Sequence, residues 1–397
     1  MRSGCTDHTP TTTTTSNSRG ISMSFRALQV AAILGVSAFL ALASGPSGLA
    51  QNTPRTPTGT FSLVSVPSGM ELLAPDGKVV LEYVTVRPDN IGLTAPSAAY
   101  FDPVNTPSGE RVTNVAPNDH PHHRGIFFGF MNSEFHVPSD YRNAAPDHAV
   151  KGFTVERGDF WAWGAYAPRE GRIIQNRSVK LIEADADHAQ VEIHNDWLID
   201  NHKMLDETDE AIVSEHDGMY VLDLYYRLAP LYDYEILQSA FGGFDFQAQK
   251  YGESYFSTAA GKVTLPDPHY SYPLTDWPSE PWYDYTIKLA SDGKTVGAAV
   301  IDHPLNPPSL WHNARYLWMV SPCITALGPL TITPNAALTL RYRVVVHDGP
   351  PQTDAIQKLA EEWRGKNEDP FVHPTKTYND MLPPHTTYYN TVLSQLP

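Results

Sequence analysis

Short runs in which apolar and polar side chains alternate recur along this chain, and prolines and glycines interrupt them before a long helix can form. With 34 prolines and 26 glycines in 397 residues, backbone donors are lost and turns are favoured too often for helices to dominate. Many short strands joined by turns is the pattern of a sandwich or barrel. Val191-Glu192-Ile193-His194, Leu338–Val344 and Tyr220–Leu228 alternate as strands do when one face is buried and the other wet. Pro75-Asp76-Gly77 between Leu72-Leu73-Ala74 and Val79–Tyr83 predicts a hairpin. One helix is expected, because Ile356, Leu359, Ala360 and Trp363 fall at i, i+3, i+4 and i+7. Thr353 or Asp354 would cap it, Gly365 would lie just beyond it, and it would pack on a sheet edge. The fold class predicted is therefore all-β, a large antiparallel β-sandwich with one C-terminal helix.

The N-terminus reads differently. From Met23 the chain passes Arg26, an apolar stretch Ala27–Leu42 and small residues ending Gly48-Leu49-Ala50, the three-part order of a secretory signal. That stretch is shorter than the ~20 residues of a membrane span, and no basic cluster follows it. Residues 1–50 are thus predicted to be a disordered start and a cleavable signal peptide, 51–365 a single β-sandwich domain and 366–397 an extended tail. The expected location is periplasmic or secreted, with no membrane insertion after cleavage. The chain carries a formal charge of −16, and the leader would remove Arg2, Arg19 and Arg26 but only Asp7. So acidic a protein repels nucleic acid and anionic lipid. Cleavage also removes Cys5 and leaves Cys323, so no intrachain disulfide can support the fold.

The chemistry concentrates at Asn118-Asp119-His120-Pro121-His122-His123-Arg124-Gly125. If extended, His120, His122 and Arg124 project to one side, Asp119 and His123 to the other. The group suits a divalent metal, with His120, His122 and His303 as candidate ligands, although no cofactor is required by any motif. It equally suits general acid–base work beside a cation, or a polar strand whose histidines satisfy buried backbone groups. A second group, Asp302, His303, Trp311 and His312, would sit in a loop after the strand Val296–Ile301 and complete the site. A third stretch, Gly242–Gln247, lets the backbone approach a ligand closely and puts Asp245 and Gln247 on one side of a strand. Trp161, Trp163, Trp197, Trp277, Trp282, Trp311 and Trp318 are mostly core, with some available to stack on a sugar ring. No Walker loop, G-x-S-x-G elbow, H-E-x-x-H or dinucleotide fingerprint occurs.

On Thr106–Gly109 leading into Asp119–Gly125, on Gly242-Gly243, on Asp302–Pro307, and on Leu340–Arg343 with His347-Asp348-Gly349, the chain resembles the bacterial family DUF6807, often labelled "PmoA family". The resemblance spans Phe61 to Gly349. It implies a sandwich like those of sugar mutarotases and polysaccharide lyases, and a place among sugar-processing functions. The label implies a methane-oxidising subunit with several membrane spans, which the chain after its leader lacks. Gly158-Asp159-Phe160-Trp161 matches a family element that follows an insertion here, about Ser133–Glu156, expected to reshape the cleft.

The function expected is an exported carbohydrate-active enzyme of lyase, mutarotase-like or hydrolytic type. His122 or His123 would be base or acid, Arg124 would hold a carboxylate or enolate, and His303 and His312 would complete the catalytic set. Asp119, His120, Asp245, Gln247, Asp302, Trp161 and Trp311 would bind substrate. Hydrolysis would need two carboxylates, for which Asp245 and Asp302 are the available pair. The alternatives are a non-catalytic glycan-binding domain and a metal-dependent oxidase.

Overall fold

A computed structural model describes residues 55–138, 152–266, 277–311 and 315–371. The leader, His312, Cys5 and residues 372–397 of the tail lie outside the described residues. Contacts group residues 52–397 as one unit, and it is that unit which folds as a sandwich.

Its larger layer is a nine-stranded sheet in the order Gly261–Val263, Gly252–Thr258, Trp282–Leu289, Thr295–Asp302, Leu338–Asp348, Met219–Pro230, His202–His216, His188–Ile199, Arg172–Ala184. The other layer has seven strands, Ser62–Val66, Gly69–Leu73, Val79–Val84, Tyr100–Val104, Ile126–Phe130, Gly242–Gln247 and Met319–Val320. A four-stranded sheet of Leu330–Ile332, Asp233–Ile236, Ser133–Pro138 and Phe153–Gly158 lies alongside. Neighbouring strands are antiparallel throughout, and the chain is an all-β sandwich. The expected hairpin is present: Leu73 pairs with Val79 and Gly77 takes φ +85°, a conformation in which glycine alone is unstrained.

Alternation decides what each layer faces. Ile126, Phe128, Phe130, Phe244 and Phe246 point between the sheets, against Leu222, Leu224, Tyr226, Val344 and Val346. Each such side chain contributes about 1.5–3 kcal/mol by leaving water. Phe127 and Met131 point the other way, into a second cluster with Tyr100, Trp161, Phe241, Leu317 and Met319 on the outer face of the seven-stranded sheet. That outer face carries the histidines.

The helix Thr353–Gly365 buries Ile356, Leu359, Ala360 and Trp363 as expected. Its seat and its ends differ from expectation. It covers the outer face of the nine-stranded sheet, on Val221, Tyr225, Trp282, Ile301 and Val345, because those central strands carry apolar residues on both faces. Tyr220–Leu228 is consequently buried on both sides, except at Arg227. Gln352 is the N-cap and makes no side-chain bond, and Gly365 is the last helical residue.

Two of the buried polar groups bear on stability through their protons. His347 Nε2 meets Asp284 Oδ2 at 2.8 Å and Nδ1 meets the Gly349 carbonyl at 3.1 Å. Both partners only accept, so the ring carries both protons. Burial opposes that charge, but the hydrogen bond and charge of Asp284 overcome it and raise the His347 pKa. Gly297 makes room, since a Cβ there would lie 2.6 Å from the His347 ring. Between the sheets, Asn195 donates to Glu207 at 2.8 Å and to Asp209 at 3.1 Å, and burial raises the pKa of both acids.

All three shifts act in one direction on stability. His347 holds its proton more tightly folded than unfolded, so its contribution is full below about pH 6.5 and lost as pH rises through the folded value. The acid pair retains protons that the unfolded chain releases above about pH 4, so it too loses stability as pH rises. Denaturant titrations should show Asp209→Asn flattening the decline toward high pH. His347→Ala should cost about 3–5 kcal/mol at pH 6 by leaving Asp284 buried without its cation. A loss below about 1 kcal/mol would refute the charged pair.

Candidate active site

Asn118–Arg124 is not the extended strand that the sequence suggested. His120 N–H donates to the Pro117 carbonyl and His123 N–H to the His120 carbonyl, both at 3.0 Å, which makes two successive turns. Pro121 cannot donate, and its own carbonyl accepts from Thr94 at 2.8 Å. The turns gather the three imidazoles that alternation would have separated. His120 stacks on His123 with centroids 4.9 Å apart, and His122 stands edge-on to His123 at 4.5 Å.

Gln247 fixes the tautomer of His123. Its Nε2 faces the carbonyls of Leu317, Ala248 and Trp318 at 3.0, 3.2 and 3.4 Å, so the NH₂ belongs there and Oε1 is left to accept. Oε1 lies 2.7 Å from His123 Nδ1, which must therefore carry the hydrogen. Nε2 keeps the lone pair, and among the described residues it has no hydrogen-bond partner. Burial, then His122 and His120, hold the His123 pKa well below the ordinary value. Burial and the neighbouring His120, Arg124 and Arg169 push His122 down to about 3. Both rings are neutral bases at neutral pH.

A small pocket lies beside them, its space about 290 Å³ when the open solvent at its mouth is counted, lined by His120, His122, His123, Trp161, Trp163, Phe241, Leu317 and Met319. Trp163 is half-buried and stands edge-on to Phe241 at 6.4 Å and to the exposed Tyr166 at 5.8 Å. Asp119 borders the cluster, 3.7 Å from His120 Nδ1 and 2.7 Å from Lys250 Nζ. Burial pushes its pKa up, but the hydrogen bond from Lys250 outweighs this and leaves it lowered.

Arg124 and Asp245 do not reach the pocket. Arg124 is 0 % exposed; it donates to the carbonyls of His122, Trp161 and Phe160 at 3.1, 3.3 and 3.4 Å and lies 4.3 Å over the Phe127 ring. Burial lowers its pKa to about 10, still cationic. Asp245 pairs across the strands with Phe127 and is wholly buried. Burial raises its pKa well above the ordinary value, against the opposing pull of Arg124.

The second expected half of the site lies elsewhere. His303 packs edge-on against Trp363 of the helix at 5.3 Å, and its Nε2 meets the Lys366 carbonyl at 2.9 Å. That is the outer face of the other sheet, so His303 joins neither the acid–base cluster nor a metal site with His120 and His122. Asp302 accepts from Asn306 and Ser309, both at 2.7 Å, and closes its own loop. Trp311 is core, donating to the Glu280 carbonyl at 2.9 Å. His312 lies outside the described residues. Nor do the three imidazoles present nitrogens within 4.8 Å of one another; among the described residues the group that meets this spacing is Glu134, His136 and Glu235. Phe241, Leu317 and Met319 had no sequence signal beyond being apolar. Asp159 had one, since Asp-x-x-x-x-Gly before a turn suggests a capped loop.

The family DUF6807, described as a family of unknown function, matches residues 72–361. No curated protein matches the sequence. Similar solved structures include a galactose mutarotase related enzyme from Lactobacillus acidophilus, 7% identical, covering 72% of this chain and 97% of that one at a TM-score of 0.30. A GH36 alpha-galactosidase from Geobacillus stearothermophilus in complex with raffinose is 9% identical, covering 72% of this chain and 39% of that one, also at 0.30.

Nitrogen NMR of the histidines tests the electrostatics directly. His122 should remain neutral from pH 8 to pH 5, where an unperturbed ring titrates near 6.5; a midpoint above 6 for that ring would overturn the reading of a desolvated base.

Proposed function

The chain belongs to the DUF6807 family, a family of unknown function, and from its pocket we propose a carbohydrate-active enzyme that moves protons on a sugar ring. The observation that carries this reading is the His123 tautomer: a neutral imidazole with its lone pair unused, held by Gln247 at 2.7 Å beside a small aromatic-walled pocket. Aromatic faces stack on the C–H face of a pyranose.

The mutarotase-like form of the reaction fits these residues best. His123 Nε2 takes the proton of the anomeric hydroxyl, the bond from the anomeric carbon to the ring oxygen breaks, and that oxygen receives a proton from a second imidazole. His120 suits the second role, because Asp119 lies 3.7 Å from its Nδ1 and supplies a counter-charge for the proton it gives up. Ring closure on the other face reverses both transfers, so nothing is consumed. A lyase would need a cation to hold an enolate, and Arg124 is spent on backbone carbonyls. A hydrolase would need two carboxylates across the bond, and Asp245 and Asp302 lie on different sheets. With the export leader expected in residues 1–50, we propose that the sugar is met outside the cytoplasm.

The test is anomeric exchange. Freshly dissolved, anomerically pure neutral aldoses are followed by proton NMR with the chain from residue 51. At least one sugar should equilibrate faster, and His123→Asn should lower that rate by about 10²–10⁴-fold, with Trp311→Phe near the parent rate. No acceleration of any sugar by folded protein would sink the catalytic reading. Sugar binding that persists without exchange would leave a binding domain in its place.

A further inference from the structure

Arg124 is a cation buried among backbone carbonyls rather than aimed at a ligand, and the carbonyls it holds belong to the two walls of the pocket. His122 O, at 3.1 Å, is in the histidine turn; Trp161 O and Phe160 O, at 3.3 and 3.4 Å, are in the aromatic loop. Asp159 closes that loop from within, accepting from Ala162 N–H at 2.7 Å and Gly164 N–H at 2.5 Å. Ala162, between the two tryptophans, has φ +81°, a region that alanine avoids because its Cβ meets the backbone. Strain of this kind persists where the surroundings hold it, and here the Asp159 carboxylate grips the amide of the strained residue itself.

A buried arginine is ordinarily balanced by a direct ion pair. Among the described residues Arg124 has no carboxylate within 4.0 Å, although Asp245 and Asp159 both act on it through space. Its hydrogen bonds go into joining two chain segments that share no regular strand pairing at this point.

We propose that Arg124 and Asp159 are positioning residues, which hold Trp161 and Trp163 opposite His120, His122 and His123 and thereby set the width of the pocket for its sugar. This rests on reading the pocket as the reacting site, but its structural half can be tested without any substrate.

Protein labelled with 5-fluorotryptophan, with the Trp161 and Trp163 signals assigned by phenylalanine replacement, reports the loop by fluorine NMR. In Asp159→Ala the Trp163 signal should broaden and move toward its solvent-exposed position, while the signals of Trp197 and Trp282 stay in place. Adding Ala162→Gly, which adopts φ +81° without strain, should restore much of the original position. Arg124→Lys should give a smaller shift, and Asp159→Asn, which keeps an acceptor oxygen, the smallest. If Asp159→Ala fails to fold, Asp159→Asn and Arg124→Lys carry the comparison. Unmoved Trp161 and Trp163 signals in the folded variants would overturn the proposal.

Where a sugar is turned over, the same variants should raise KM by about tenfold with kcat within about threefold, the split expected when binding geometry is lost and the base is intact. Equal losses in kcat and kcat/KM, without rescue by Ala162→Gly, would also overturn it. Signals that shift as expected in a protein active on no sugar would leave the positioning intact and remove the catalytic reading alone.

Discussion

The pairing of Ile126–Phe130 with Gly242–Gln247 is the constraint on which the site depends. Phe128 opposite Phe244 and Ile126 opposite Phe246 face the sandwich interior, and Phe127 opposite Asp245 faces outward. A slip of one residue would exchange the two faces and expel phenylalanines from the core. The same register carries Gln247 past the end of the ladder to meet His123, three positions before the partner strand begins. Packing energy between the sheets is thus what fixes the protonation state of a histidine on the outside.

Around the pocket the protein accepts charges in places where they are expensive. Arg124, Asp159 and Asp245 lie together beneath it, and their pKa values are all displaced by burial. Burial pushes Asp159 up to about 6 even though three backbone amides favour its charged form. A purely apolar filling would be cheaper in stability, so the arrangement is costly for a core and sensible for a site. Its effect on the histidines is direct, because a buried guanidinium nearby adds to desolvation in keeping His122 and His123 unprotonated.

The sequence made the fold legible where a single physical rule governs. Period-two alternation located the strands, Pro75-Asp76-Gly77 the hairpin, and the 3.6-residue spacing of Ile356, Leu359, Ala360 and Trp363 the helix. It misplaced that helix because alternation within a strand does not reveal what covers the far face; Val221, Tyr225 and Val345 look like ordinary interior residues. The histidine cluster was legible as a cluster, but its geometry was not. An extended segment would separate the imidazoles, whereas His123 N–H bonding back to the His120 carbonyl folds it into turns. The link to Asp302 and His303 failed for a different reason. Residues about 180 positions apart are brought together only by sheet order, and here the order sends one cluster to the outer face of each layer.

What the three-dimensional arrangement adds is a distinction between cations and bases that look alike in a string of letters. His120-Pro121-His122-His123-Arg124 reads as three imidazoles beside a cation. In the folded chain Arg124 is turned inward onto backbone carbonyls, two imidazoles are neutral, and Lys250 is tied to Asp119 and lies 4.8 Å over Trp318. An anionic substrate would therefore find little to bind it, and a developing enolate little to stabilise it. A neutral polyol asks for neither, and its hydroxyl protons suit the lone pair of His123 Nε2. The burial that makes Arg124 unavailable is thus the feature on which the proposal of proton exchange on an uncharged ring rests.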